Sequence, residues 1–200
     1  MPGKVEPVLA LLCLAPSLRL LAQETPTQQG FGDKGVESNR GTTHRRYILK
    51  DLGTFGGPGS GLSFFAKILN NRGMVVGDAD TSTPDPFAPN CLRPNCLVSH
   101  GFKWQNGIMT DLGTLPGGSS SDVNYINELG QITGRSQTGL IDPLTGVPAS
   151  TAVLWKANGD IINLGTLGGP WSLAVGINNS GQVIDGATNT IPDAFSWLCP

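Results

Sequence analysis

Asn163-Leu-Gly-Thr-Leu-Gly-Gly-Pro170 is the third copy of one phrase, after Asp51-Leu-Gly-Thr-Phe-Gly-Gly-Pro58 and Asp111-Leu-Gly-Thr-Leu-Pro-Gly-Gly118, and that recurrence decides the fold. A second phrase keeps phase with it: Leu69-Asn-Asn-Arg-Gly73, Ile126-Asn-Glu-Leu-Gly130 and Ile177-Asn-Asn-Ser-Gly181. A third ends in tryptophan: His100-Gly-Phe-Lys-Trp104, Thr151-Ala-Val-Leu-Trp155 and Asp193-Ala-Phe-Ser-Trp197. Three phrases in one order mean one structural unit copied along the chain. A period of about 50 residues is that of solenoids, propellers and arrays.

Two turn signatures alternate within each unit. In Ile-Asn-x-x-Gly, asparagine opens a type I turn and glycine takes the fourth position, where a positive φ is often required. Asn70, Asn127 and Asn178 hold the opening slot, between a small or apolar run and a β-branched run. After tryptophan come Asn106-Gly107 and Asn158-Gly159, pairs suited to tight strand reversals. Two hairpins make four antiparallel strands, a to d, and four short strands per unit is the measure of a β-propeller blade.

The expected fold is therefore all-β, a β-propeller-like array of about three four-stranded antiparallel blades. The units cover about 47–110, 111–162 and 163–200, the last incomplete. A β-solenoid has shorter coils, and a sandwich needs no repeated phrases. Residues 47–52 read as a d strand with no a, b or c before it, and no d strand follows Trp197. Closed propellers have four to eight blades. The expectation is thus a truncated array whose exposed blade edges favour self-association.

Glycine, at 28 of 200 residues, and a charged fraction of 14% fit a turn-rich β protein rather than a disordered chain. A net charge of −2 leaves no electrostatic footprint for nucleic acid or an anionic membrane. Residues 1–22 have the layout of a secretory signal peptide, with Lys4, an apolar run from Val8 to Leu18, and Ala22 before Gln23. That run is too short to span a bilayer as a helix. Residues 23–46 are polar and aperiodic apart from Phe31, so a flexible leader is expected ahead of a repeat domain at 47–200. Export would place the mature cysteines in an oxidising compartment. There Cys91 and Cys96, in Asn90-Cys-Leu-Arg-Pro-Asn-Cys96, read as a local disulfide. A zinc site would require a second ligand pair, and only His44 and His100 offer one.

Asp51, Asp111 and Asn163 share one slot, and an acid that Asn can replace is accepting backbone amides at a strand end rather than working as a catalytic acid. Trp104, Trp155 and Trp197 recur once per unit and read as core rings. Trp171 is out of register, on a turn where the other copies have Gly59 and Ser119, and an unrepeated tryptophan suits stacking on a sugar or anchoring a partner. Asp78-Ala-Asp80, with Asp85 near, would admit Ca2+, but it lacks the glycine and closing glutamate of an EF-hand loop. Trp171, Asp78 and Asp80 are therefore the candidate ligand-binding residues, with no catalytic residue, metal site or other cofactor expected. The b-to-c connections at 79–98, 137–150 and 188–192 differ most between copies, and repeat proteins carry specificity in such loops.

His100-Gly-Phe-Lys-Trp104, Asp193-Ala-Phe-Ser-Trp197, Asp-Leu-Gly-Thr-Leu-Gly-Gly and Ile177-Asn-Asn-Ser-Gly-Gln-Val183 together resemble the HAF family of extracellular repeat proteins, over about Tyr47 to Trp197. The chain departs from the family pattern at Thr151-Ala-Val-Leu-Trp155, which lacks the His and Phe. The resemblance implies an exported repeat protein and transfers no catalytic residue. The expected function is an exported, non-enzymatic scaffold that binds a protein or glycan through variable loops on one face. The alternative is a propeller-type hydrolase or lyase acting on extracellular polysaccharide. It requires two or more out-of-register acids to converge, from Asp78, Asp80, Asp122 and Glu128.

Overall fold

The computed structural model describes residues 49–63 and 66–191. The expected signal peptide (1–22), the leader (23–46), Tyr47 and Trp197 lie outside the described residues. Among the described residues every regular element is a strand. In chain order they are β1 (Gly56–Gly61), β2 (Val75–Pro84), β3 (Leu97–Gln105), β4 (Ile108–Asp111), β5 (Ser121–Ile126), β6 (Ile132–Ile141), β7 (Pro148–Trp155), β8 (Ile161–Gly165), β9 (Gly168–Ile177) and β10 (Val183–Asn189).

Turn chemistry sets these boundaries. In all three copies of Ile-Asn-x-x-Gly the glycine N–H returns to the asparagine carbonyl, at 3.1 Å in the first, 3.2 Å in the second and 3.1 Å in the third. The asparagine Oδ1 then accepts two backbone amides, from Arg72 and Met74, from Leu129 and Gln131, and from Ser180 and Gln182. After Trp104, Asn106 and Gly107 both have positive φ, at 53° and 88°, the backbone of a two-residue hairpin turn whose twist matches its strands.

The strand order β1-β2-β3-β4 is antiparallel throughout, and β5-β6-β7-β8 repeats it. These are the a, b, c and d positions of two units. The third unit contributes the β9–β10 hairpin, and here the structure departs from three separate blades. A single parallel bridge, Ser150 to Trp171, joins β9 to β7, so the described strands form two sheets. Residues 49–54 also depart from expectation: they form no strand. A d strand exists by pairing with a c strand, as β4 does with β3, and no described c strand precedes residue 49.

The core lies between the first unit and the second. Met74 and Val76 from the first pack with Leu115, Val123, Ile126, Ile132, Val153 and Trp155 from the second. Each such side chain contributes roughly 1.5–3 kcal/mol on burial. Trp155 has no exposed surface, and its Nε1 donates to the Leu112 carbonyl at 2.8 Å. Its counterpart Trp104 is only half-buried, beneath the Lys50 ammonium, 4.7 Å from the ring centre. β7 is buried at every position, so it reads as a run of small and apolar residues without alternation. Close approach explains Gly77 and Gly134, which share a slot. A Cβ at Gly134 would collide with the Asp122 carbonyl, and one at Gly77 with the Gly61 carbonyl.

Candidate functional site

The longest b-to-c connection, residues 85–96, is Asp-Pro-Phe-Ala-Pro-Asn-Cys-Leu-Arg-Pro-Asn-Cys. It is shorter than the variable stretch expected at 79–98, because β2 runs on to Pro84 and β3 starts at Leu97. Its prolines and asparagines exclude a strand ladder, so side chains close it. Asp85 Oδ1 accepts the Phe87 amide at 2.9 Å, and Cys91 and Cys96 form a disulfide, Cα–Cα 5.2 Å.

Arg93 and Asn95 turn back from this loop onto the sheet. Arg93 pairs with Asp78 and donates from Nε to Ser99 Oγ at 3.2 Å, while Asn95 Nδ2 donates to Asp80 Oδ2 at 2.7 Å. Asp78 and Asp80 therefore sit in strand β2 rather than in a loop, buried and engaged by the loop above them. Burial is the largest influence on the Arg93 guanidinium and lowers its pKa. The Asp122 carboxylate opposes that, and the Arg135 charge adds to it. Arg135 Nε in turn pairs with Asp122 Oδ2 at 2.9 Å. Asp78, Arg93, Asp122 and Arg135 thus make a half-buried patch of alternating charge spanning the two units.

The second connection, residues 142–147, is built around one carboxylate. Asp142 Oδ1 accepts the Leu144 amide at 3.0 Å and Oδ2 accepts the Thr145 hydroxyl at 2.7 Å. The Thr145 hydroxyl, then the Leu144 amide, hold the Asp142 carboxyl below the usual carboxylate range, and the Trp171 indole N–H adds to this. The indole Nε1 is buried and makes no hydrogen bond of normal geometry. Asn90 Nδ2 donates to the Gly146 carbonyl at 3.0 Å and ties the two loops together.

Between the loops lies a crevice of about 180 Å³. Asn90, Cys91 and Leu92 of the disulfide loop line it, with Val147 of the second loop, Trp171, Arg135, Gln137 and Ser150. Trp171 is not on a turn, as its place after Gly-Gly-Pro suggested. It belongs to β9, in the position Ser120 holds in the second unit, and Thr188 Oγ1 bonds both its amide and its carbonyl at 3.0 Å. The structure brings Trp171 and Cys91 together. Asp78 and Asp80 do not line the crevice, because Arg93 and Asn95 cover them.

Sequence reasoning missed Arg135, Gln137, Asn90 and Ser150. A signal was present for two of them. Counted from the turn asparagine, the eighth residue is Asp78, Arg135 or Gly186, and the tenth is Asp80, Gln137 or Thr188. These slots change chemistry in every copy, whereas the turn asparagine and glycine and the Leu-Gly pair after Asp51, Asp111 and Asn163 do not.

The in-register polar residues are absorbed locally. Asp51, Asp111 and Asn163 each accept the amide two residues on, Gly53, Gly113 and Gly165, at 2.9, 2.7 and 2.8 Å. Asp111 also takes His100 Nδ1 at 2.8 Å, and His100 Nε2 meets the Ser119 carbonyl at 3.1 Å. The Asp111 hydrogen bond raises the His100 pKa, against partial burial. Partial burial pushes Asp111 up, but the bonds from His100 and the Gly113 amide outweigh it and leave the carboxyl lowered.

Among the described residues no group of three or more His, Cys, Asp or Glu is arranged to hold a metal ion. Asp78 and Asp80 face Arg93 and Asn95, and Asp85 Oδ1 caps its own loop. No helix of the described residues is long and apolar enough to cross a membrane. No family model, curated protein or solved structure matches the chain.

Proposed function

We propose that the chain is an exported, HAF-type repeat protein, a propeller-like array whose second connecting loops form a recognition face for a glycan or protein ligand. The observation that carries this reading is the crevice where two loops of different repeats meet, 85–96 and 142–147, lined also by the one tryptophan without a repeat counterpart. Its volume suits one ring-sized group rather than a drug-sized ligand, for which cavities are about 300–1,000 Å³. An aromatic wall with amide and guanidinium groups beside it is the composition that stacks and orients a sugar ring. Rigid walls lower the entropic cost of capture, and the disulfide and the Asp142 side chain supply them.

The hydrolase or lyase reading has less support. Each of its four acids is already engaged: Asp78 with Arg93, Asp80 with Asn95, Asp122 with Arg135, and Glu128 with Lys67 and the Asn71 amide. A glycan array probed with the soluble chain separates the two readings. Binding that is lost in Trp171→Ala supports recognition. Release of shortened product, abolished by Asp78→Asn, overturns it in favour of catalysis. Export is tested on the secreted chain, whose N-terminus should begin near Gln23.

A further inference from the structure

We infer that the trailing face of the β9–β10 hairpin docks the leading face of the first repeat in a second copy of this chain, head to tail. The two inner junctions show what these faces look like when covered. Six residues after the turn asparagine stand Val76, Thr133 and Ile184. Val76 and Thr133 have no exposed surface, but Ile184 is 67% exposed. One residue before the asparagine stand Leu69, Ile126 and Ile177. Ile126 is fully buried against the first unit, whereas Leu69, with no described repeat ahead of it, is 55% exposed. Among the described residues, no repeat covers the third unit behind or the first unit in front.

Hydrogen bonds across the junctions make the match specific. Asn70 Nδ2 donates to the Asn127 carbonyl at 3.1 Å, and Asn127 Nδ2 to the Asn178 carbonyl at 3.0 Å. One position on, the Asn71 amide donates to Glu128 Oε2 at 2.9 Å, and the Glu128 amide to Asn179 Oδ1 at 3.0 Å. A third line runs through serine: Ser121 Oγ accepts the Gly101 amide at 3.0 Å, and Ser172 Oγ accepts the Ala152 amide at 2.7 Å. Among the described residues the first two lines stop at the third turn, where Asn178 Nδ2 donates only to Gln182 Oε1, at 2.7 Å. The first repeat carries what would continue those two: its Asn70 carbonyl sits in the same turn as those of Asn127 and Asn178, and Asn71 is exposed.

A second copy is the occupant because the face demands a repeat. Repeat arrays bury apolar faces against a neighbouring repeat and leave only polar faces to solvent, whereas the last described repeat presents Ile184 and, at 43% exposure, Val175. The contact is heterologous, one face against a different face, so it either closes a ring or extends. Two copies closing on each other bring the six described asparagine turns into one ring, within the four to eight units of closed propellers.

The test is sedimentation of the full chain over a dilution series. The expected result is a mass of two copies that falls to one on dilution. Ile184→Lys and Leu69→Lys, both at exposed positions, should each weaken association at least tenfold while leaving the far-UV spectrum and the unfolding midpoint in place. Mixing the two variants should restore a mixed dimer, because each retains the face the other lacks. A monomer at every concentration overturns the inference. So does association that survives both variants, or a mixture no heavier than its parts.

Discussion

Asn127 and Asn178 open the same turn with the same bonds inside it, yet Asn127 is 1% exposed and Asn178 stands at the surface. The difference lies one unit away. Asn127 Nδ2 reaches the Asn178 carbonyl, while its own carbonyl receives Asn70. In the third unit only the receiving half of that exchange is made among the described residues. A turn motif thus has two functions with different energetic weight: it reverses the chain locally, and it locks one repeat onto the next. Only the second is set by burial, because an amide withdrawn from water has no solvent to replace a lost partner.

The comparison predicts the largest effect at the tryptophans. Trp155→Ala should cost about 3–5 kcal/mol, since it empties a sealed site and orphans the Leu112 carbonyl. Trp104→Ala, at the half-buried equivalent, should cost only about 1–2 kcal/mol, from partial burial and the Lys50 cation–π contact. Equal midpoint shifts in urea for the two variants would break the claim that the first junction, not the motif, carries the stability. Next come the asparagines. Asn127→Ala should cost about 2–3 kcal/mol, and Asn178→Ala under about 1 kcal/mol, measured at dilutions where the chain is monomeric.

The smallest effect depends on pH and contrasts the first unit with the second. The raised His100 pKa supplies stability that is complete below about pH 6.5, the unfolded value, and fades as pH rises through the folded one. The lowered Asp111 pKa supplies stability present above about pH 3.9 and lost as pH falls through its folded value. The pair therefore contributes most between about pH 4 and 6.5. His100→Gln should lower stability near pH 5 by less than about 1 kcal/mol, because Asp111 is 44% exposed and water screens the pair. Its effect should shrink at higher pH, as the imidazole loses its charge above its folded pKa. In the second unit Thr151 and Asn163 hold these slots, and the buried Thr151 hydroxyl has no partner. Thr151→Val should be neutral or stabilising, and equally so at low and at higher pH. A pH-dependent Thr151→Val, measured by thermal unfolding, would remove the contrast.

Much of the backbone was legible because turns are local. Asn70, Asn127 and Asn178 satisfy amides two and four residues away, so three copies of five residues place three hairpins without knowledge of the remainder. The Asn106-Gly107 reversal and the Asx bonds of Asp51, Asp111 and Asn163 are legible for the same reason. The site was less legible. Cys91, Cys96 and Trp171 stood out by composition and register, but nothing near Asp78 or Asp80 announces that Arg93 and Asn95 fold back and cover them. The same holds for Arg135, whose partner Asp122 lies on the neighbouring strand.

The sequence by itself determined that the chain repeats, that each full unit is four antiparallel strands, and where those strands reverse. These follow from φ preferences and from hydrogen bonds that span a few residues. Only the tertiary structure decided that Trp155 is sealed while Trp104 is not, that the last hairpin bridges to β7, and that two loops from different repeats enclose one crevice. Identical phrases cannot carry that information. Their burial depends on which neighbour covers them, and position in the array, rather than the phrase, supplies the neighbour.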